Sequence, residues 1–138
     1  MLLTIAAGAV YAQGATRTGG FTIQHSAFKA DFVTPEVAKQ YGIERSKYRG
    51  VLSICVIRGE QDSPTPAHVP SRVKATAMNL SGLTKEIELR AVQEGGATYY
   101  VDDFPIINGE IVNFTIEALP EGETTPLKAK MTQEFYVD

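Results

Sequence analysis

Apolar and polar residues alternate along much of this chain, and this alternation limits the fold more than any other feature. Residues 111–118 show it most clearly, because every second side chain is apolar: Val112, Phe114, Ile116 and Ala118. Only a pleated strand places alternate side chains on one face. Short alternating runs that end at Gly, Pro or Asn are typical of antiparallel sheets. The chain is therefore predicted to be all-β.

The number and spacing of these runs predict an immunoglobulin-like antiparallel β-sandwich of about seven strands. Five of the runs follow one another from residue 72 onward with short connections, which favours antiparallel neighbours. The chain has no tryptophan and one cysteine, so the disulfide-bonded core of an antibody domain is excluded. At 138 residues there is room for one domain, which we place at residues 21–138.

Two of the runs differ in regularity. Phe21, Ile23 and His25 share one parity, whereas Phe28 begins a run on the other, which predicts a bulge or a break between His25 and Phe28. Residues 86–92 alternate without interruption and are predicted to form one strand.

One short helix is predicted, at about residues 35–41. Thr34 suits the N-cap, Pro35 suits the first helical position, and Gly42 can end the helix in a left-handed conformation. A basic connector, residues 43–50, follows. Residues 58–71 contain three prolines and predict a loop or an edge segment, because proline has no amide to donate to a sheet.

The first twelve residues carry no charge and predict the apolar end of a secretory signal peptide, with cleavage before Gln13. No Lys or Arg precedes them, which leaves open a start farther upstream. Twelve residues are too few to span a bilayer as a helix, and the alternatives are a buried first strand or a short membrane anchor. Residues 13–20 are small and polar and are predicted to be a flexible lead-in. We expect an exported protein without stable membrane insertion after cleavage.

Composition and charge argue against several functions. The 13 basic and 16 acidic residues leave a net charge of −3, without the basic surface that nucleic-acid binding needs. There are two histidines, His25 and His68, and no Gly-x-Ser-x-Gly motif. Cys55 lies in an apolar run, which predicts a buried, unreactive thiol. We expect no catalytic residues, no metal and no cofactor.

The connector after the helix carries the candidate ligand-binding residues, which are Tyr41, Arg45, Lys47, Tyr48 and Arg49. Three cations within five residues, beside two phenols, could hold an anionic group through charge-assisted hydrogen bonds. The alternative is a solvated loop whose cations pair with surface carboxylates for little energy.

Several segments of the chain resemble the DUF4426 family of small exported proteins from Gram-negative bacteria. The resemblance rests on residues 34–43, 45–50, 97–101, 120–122 and 133–138, and the helix with its basic connector is the most specific part. It implies a periplasmic protein with a β-sandwich fold. It supplies no catalytic residues, because none is established for the family.

These observations lead to a non-enzymatic periplasmic binding or accessory module as the expected function, with a sheet edge as the candidate surface for engaging a protein partner. The alternative is a small-molecule or anion binder, or a minor enzyme, with a pocket near the helix and the basic connector. A structural domain that self-associates is a third interpretation.

Overall fold

The computed structural model describes residues 11–59 and 67–137, which form two antiparallel sheets packed face to face. The strands of the described residues are β1 (Tyr11–Thr18), β2 (Phe21–Lys29), β3 (Arg49–Arg58), β4 (Ala67–His68), β5 (Ser71–Asn79), β6 (Thr84–Ile87), β7 (Arg90–Glu94), β8 (Ala97–Pro105), β9 (Glu110–Pro120) and β10 (Leu127–Phe135). The first sheet has the order β1-β2-β3-β8-β7, with β4 paired to β3, and the second has the order β10-β9-β5-β6. This architecture confirms the all-β prediction.

The main core lies between the two sheets and is built from their inward-facing side chains. The Phe104 ring of β8 packs against Phe114 and Phe135, with centroids 5.7 and 6.0 Å apart. Each such side chain contributes about 1.5–3 kcal/mol when fully buried. A smaller apolar cluster lies on the outer face of the first sheet, under a 3-10 helix (Ala30–Phe32) and helix α1 (Pro35–Tyr41). Its buried members are Ala30, Ala38, Ile43, Val51 and Val101.

Helix α1 has the predicted caps and bounds. The Thr34 hydroxyl accepts a hydrogen bond from the amide of Val37 at 3.3 Å. Gly42 ends the helix with a φ of 70°, and the amide of Ile43 donates to the carbonyl of Ala38 at 2.8 Å. These bonds satisfy groups that every helix end leaves unpaired.

The prediction that residues 13–20 form a flexible lead-in is wrong, because they belong to a β-hairpin. Strand β1 pairs with β2 from Tyr11 opposite Phe28 to Thr18 opposite Phe21. Gly19 and Gly20 form the two-residue turn with φ values of 59° and 82°, the combination that suits a tight hairpin. Residues 1–10 of the predicted signal peptide lie outside the described part of the chain. Cleavage before Gln13 would remove the first two residues of β1.

The predicted bulge in the second strand is also absent. Strand β2 pairs without interruption with β3, from Phe21 opposite Arg58 to Lys29 opposite Gly50. The change of parity has a different cause, since Phe28 faces outward and packs against Phe32 with centroids 5.9 Å apart. His25 therefore stays on the core-facing side of β2.

Residues 86–92 form two strands rather than one. Ile87 pairs with Ala75 in the second sheet, whereas Arg90 pairs with Val101 in the first. The chain crosses between the sheets at residues 88–89, which alternation of side chains alone does not reveal. About seven strands were predicted, and the described residues form ten. The three additional strands are β1, β4 and the one that results from this division.

Candidate functional site

The last residue of helix α1, Tyr41, is directed toward the first sheet. Its hydroxyl donates a hydrogen bond to the carboxylate of Glu94, and its ring lies 6.2 Å from that of Tyr99. Burial, followed by this hydrogen bond and the negative charge of Glu94, raises the pKa of Tyr41 above its ordinary value of 10.0. Tyr41 therefore remains a neutral phenol at pH 7.

Arg45 is bonded to the main chain that precedes α1. Its Nε donates to the carbonyl of Val33 at 2.8 Å, and its Nη2 lies 3.5 Å from the carbonyl of Asp31. A guanidinium used in this way holds the connector against the start of the helix. It has correspondingly fewer donors left for an external anion.

Arg49 lies between two carboxylates. It is 3.3 Å from the carboxylate of Glu44 and 3.5 Å from that of Asp103. Asp103 also accepts a hydrogen bond from the amide of Glu44 at 2.7 Å. The Arg49 charge is thus neutralised within the chain, in the arrangement expected of a connector that pairs with nearby carboxylates.

Lys47 and Tyr48 form the exposed tip of the connector. The Lys47 ammonium lies 5.3 Å from the centroid of the Tyr48 ring, within the range of a cation–π contact. Tyr48 is 57% exposed. The five predicted residues are therefore not brought together in one site. Tyr41 bonds to β7, Arg45 bonds to the main chain, and Arg49 pairs with two carboxylates. Lys47 and Tyr48 face the solvent. Anion binding by these residues stays a prediction.

Cys55 and His68 lie on the outer face of the first sheet. The Cys55 thiol donates to the side-chain oxygen of Gln24 at 3.0 Å, and burial raises its pKa to about 11. Cys55 is thus buried and protonated at pH 7, as predicted. The His68 ring lies 6.2 Å from that of Tyr99. Among the described residues, no three His, Cys, Asp or Glu side chains converge as metal ligands.

A groove that sequence reasoning did not find opens where the chain crosses between the sheets. Strand β7 begins at Arg90, opposite Val101, so residues 102–105 of β8 pair with β3 on one side and with no described strand on the other. Strand β6 ends the second sheet nearby. The two sheets are therefore open toward each other at this point, and inward-facing side chains form the floor of the opening.

This inter-sheet groove has a volume of about 360 Å³ and a largely apolar lining. Leu83, before β6, lies on its rim and is 72% exposed. Leu80 and Ile107 occupy the turns beside it and are 73% and 69% exposed. Exposed apolar side chains grouped around a concave surface are typical of interaction sites. The groove is lined by Ala77, Asn79, Leu83, Thr84, Lys85, Ile87, Phe104, Pro105, Glu110 and Val112.

Comparison with known proteins places the chain in a family. The family model described as "Domain of unknown function (DUF4426)" matches residues 15–138. The chain belongs to the DUF4426 family. The sequence resemblance noted above is thereby confirmed. A search of curated proteins finds no match.

Solved structures share the DUF4426 fold. A crystal structure of a DUF4426 protein from Pseudomonas aeruginosa PAO1 has a TM-score of 0.75 and 30% identity, covering 91% of this chain and 96% of that one. FetP from uropathogenic Escherichia coli strain F11, expressed in the periplasm of E. coli, has a TM-score of 0.65 at 8% identity, covering 91% and 96%. A copper-bound FetP variant has a TM-score of 0.64 at 8% identity, covering 91% and 97%. At such low identity, FetP shares the fold alone.

In the described part of this DUF4426 chain, no helix is long and apolar enough to cross a membrane.

The groove could have been suspected from one signal in the sequence. Leu80, Leu83 and Ile107 are large apolar residues in or next to segments rich in turn-forming residues. Their grouping around one opening depends on where β7 begins, and strand pairing decides that position.

Proposed function

We propose that this DUF4426 protein is a non-enzymatic periplasmic binding module that engages an extended segment of a partner protein along the edge of β6, beside the inter-sheet groove. The observation that carries the proposal is the juxtaposition of an open apolar groove with a strand edge that no described strand pairs with. Addition of a strand uses main-chain hydrogen bonds for affinity and side-chain pockets for specificity.

The edge of β6 has amides available for such pairing. The amide of Asn79 donates to the carbonyl of Leu83 at 3.1 Å, which marks these two residues as a hydrogen-bonded pair of the β5–β6 ladder. In an antiparallel ladder such pairs alternate with non-bonded ones. The amides of Thr84 and Glu86 therefore point away from β5, toward the side where a partner strand would lie.

The groove supplies the second requirement, a surface for apolar side chains of the partner. A segment paired with β6 would direct alternate side chains toward Leu83 and the floor of the groove. Apolar surface removed from water contributes about 25 cal/mol per Å². Lys85 and Glu110 provide one charge of each sign along the same lining, which suits a segment with both apolar and charged residues.

A periplasmic location is supported by the apolar start of the sequence and by the expected exported character of the family. Cys55, as the single cysteine, can form no disulfide within the chain, and its buried, protonated thiol is compatible with an oxidising compartment.

The proposal is tested by capture of periplasmic partners with three forms of the full chain: wild type, Glu86→Ala and Glu86→Pro. Both substitutions remove the carboxylate, but only proline removes the outward amide, at an edge position that tolerates proline. We expect wild type and Glu86→Ala to recover the same partner and Glu86→Pro to lose it. Equal recovery by a folded Glu86→Pro variant would exclude strand addition at β6.

The alternative function is a small-molecule or anion binder at the helix and basic connector. It is favoured by the exposure of Tyr48 next to Lys47. The intramolecular partners of Arg45 and Arg49 weigh against it, because an anion would have to compete with them.

A further inference from the structure

The edge of the sandwich opposite the groove contains a second arrangement of functional groups. There β1 ends the first sheet and β10 ends the second, and the two strands belong to different hydrogen-bonded ladders. His25 of β2 and Met131 of β10 both face inward at this edge, and they are 5% and 9% exposed. Sequence reasoning could not pair them, since 106 positions separate them.

The two side chains present donor atoms to each other. Nδ1 of His25 lies 3.2 Å from the sulfur of Met131, and Nε2 lies 3.2 Å from the hydroxyl oxygen of Thr16. A hydroxyl accepts a hydrogen bond well, whereas a thioether is a weak acceptor. The proton is therefore best placed on Nε2, bonded to Thr16, which leaves the lone pair of Nδ1 directed toward the sulfur.

Strand β1 is shaped to accommodate this imidazole. Gly14 stands directly opposite His25 in the β1–β2 ladder. A Cβ at position 14 would lie 2.7 Å from Cε1 of the ring, too close for any side chain without displacement of the ring. The absence of a side chain at Gly14 thus leaves room for the imidazole, while Thr16 bonds it from the same strand.

The chemistry of the two donors also suits a metal ion, since the ring nitrogen Nδ1 of His25 and the thioether sulfur of Met131 meet at one buried point. A neutral imidazole and a thioether are donors without charge. This pair matches a soft monovalent cation such as Cu(I), because thioether ligands select soft ions and carboxylates select hard ones.

We propose that His25 and Met131 form a binding site for Cu(I), with Thr16 as the hydrogen-bond partner that fixes the imidazole. At 3.2 Å the two donor atoms are in contact. Rotation about the unbranched Met131 side chain can move the sulfur away from Nδ1, so that an ion could be held by both donors. This site is separate from the β6 edge, so the failure of either proposal leaves the other standing.

The test is a titration of the full chain carrying Cys55→Ser, which removes the competing thiol, with Ag(I) as the probe. Ag(I) resembles Cu(I) and avoids oxidation. NMR follows the imidazole nitrogens of His25 and His68 and the methyl groups of the methionines. We expect a complex of one ion per chain that shifts Nδ1 of His25 and the methyl group of Met131 and leaves His68 unchanged.

Three variants on the same background complete the test. Met131→Leu conserves volume and removes the sulfur, while Met78→Leu is the matched control at an exposed position. Gly14→Ala keeps both donors but displaces the ring and so disturbs its hydrogen bond to Thr16, and loss of such an outer partner typically weakens metal affinity by roughly 10–100-fold. We expect Met131→Leu to weaken binding by more than Gly14→Ala, and Met78→Leu to leave it unchanged. The absence of Ag(I) binding, equal binding by Met131→Leu and Met78→Leu, or shifts at His68 or Met78 in place of His25 would each overturn the proposal.

Discussion

The guanidinium of Arg90 in β7 donates two hydrogen bonds to the main-chain carbonyl of Tyr41 at the end of α1, at 3.1 and 3.3 Å. The same side chain lies 3.2 Å from the carboxylate of Asp102 in β8. One arginine therefore connects the only helix longer than one turn in the described residues to two strands of the first sheet. The position of the basic connector depends on this attachment.

Replacement of Arg90 by Ala is expected to lower the free energy of unfolding by about 1–2 kcal/mol, because hydrogen bonds from a charged donor are lost at a partly exposed site. Urea denaturation measures the change. Arg72→Ala, at an exposed position of β5, is the control and should stay within about 0.5 kcal/mol of wild type. Equal stability of the two variants would show that Arg90 does not hold the helix.

Gly50 in β3 is predicted to reject any side chain. A Cβ there would lie 2.9 Å from the ring of Phe104 and 3.0 Å from that of Phe135. Overpacking of this kind typically costs about 1–3 kcal/mol. We expect Gly50→Ala to lose stability in that range by thermal or urea denaturation. Ser53→Ala, on the outward face of the same strand, should change stability little. If Gly50→Ala were as stable as the wild type, the rings of Phe104 and Phe135 would have room to move.

The buried thiol of Cys55 should make stability depend on pH in the alkaline range. Its pKa is about 11 in the folded chain, against an ordinary value of 9.0. Between these values the unfolded chain loses the proton first, so the folded state binds more protons and stability falls as pH rises. Over this window the loss is about 2–3 kcal/mol.

Cys55→Ser keeps a donor for Gln24 but has no thiol to titrate. We expect its stability to fall less steeply than that of wild type between pH 9 and 11 in urea denaturation at several pH values. The tyrosines, including Tyr41, titrate in both proteins, so their contribution to the pH dependence of stability cancels when the two proteins are compared. Identical slopes would contradict the burial of the thiol.

Lys47 is the cation of the connector best placed to decide whether that segment binds anions. Arg45 and Arg49 support local structure, so their replacement would confound binding with folding. We expect inorganic phosphate to raise the melting temperature of wild type and Lys47→Ser equally, as a general salt effect. A stabilisation that wild type shows and Lys47→Ser lacks would favour the anion-binding alternative.

Features that depend on neighbouring residues could be predicted from the sequence of this chain. Features that depend on pairing between strands could not. Helix α1 has the predicted bounds because Thr34, Pro35 and Gly42 determine its ends within a few residues. Strand β1 was missed because its small and polar residues resemble a linker, and only pairing with β2 makes it a strand. The burial of Cys55 followed directly from its apolar neighbours.

The groove and the His25–Met131 pair depend on register between distant strands. The groove exists because β7 begins opposite Val101 and leaves the end of β8 without a second neighbour among the described strands. Side-chain alternation reports which face a residue occupies and not which strand lies beside it. No pattern within residues 86–92 could therefore have located the crossing between the sheets.

The most direct test of the proposed function is site-specific photo-crosslinking in the periplasm. A photoreactive amino acid replaces Leu83 on the rim of the groove or, as the control, Lys130 on the outer face of the second sheet. Partner binding along β6 predicts a defined protein adduct from position 83, its loss when Glu86→Pro is added, and no such adduct from position 130. An adduct at position 83 that persists with Glu86→Pro, or its absence from the folded and exported protein, would contradict partner binding along β6.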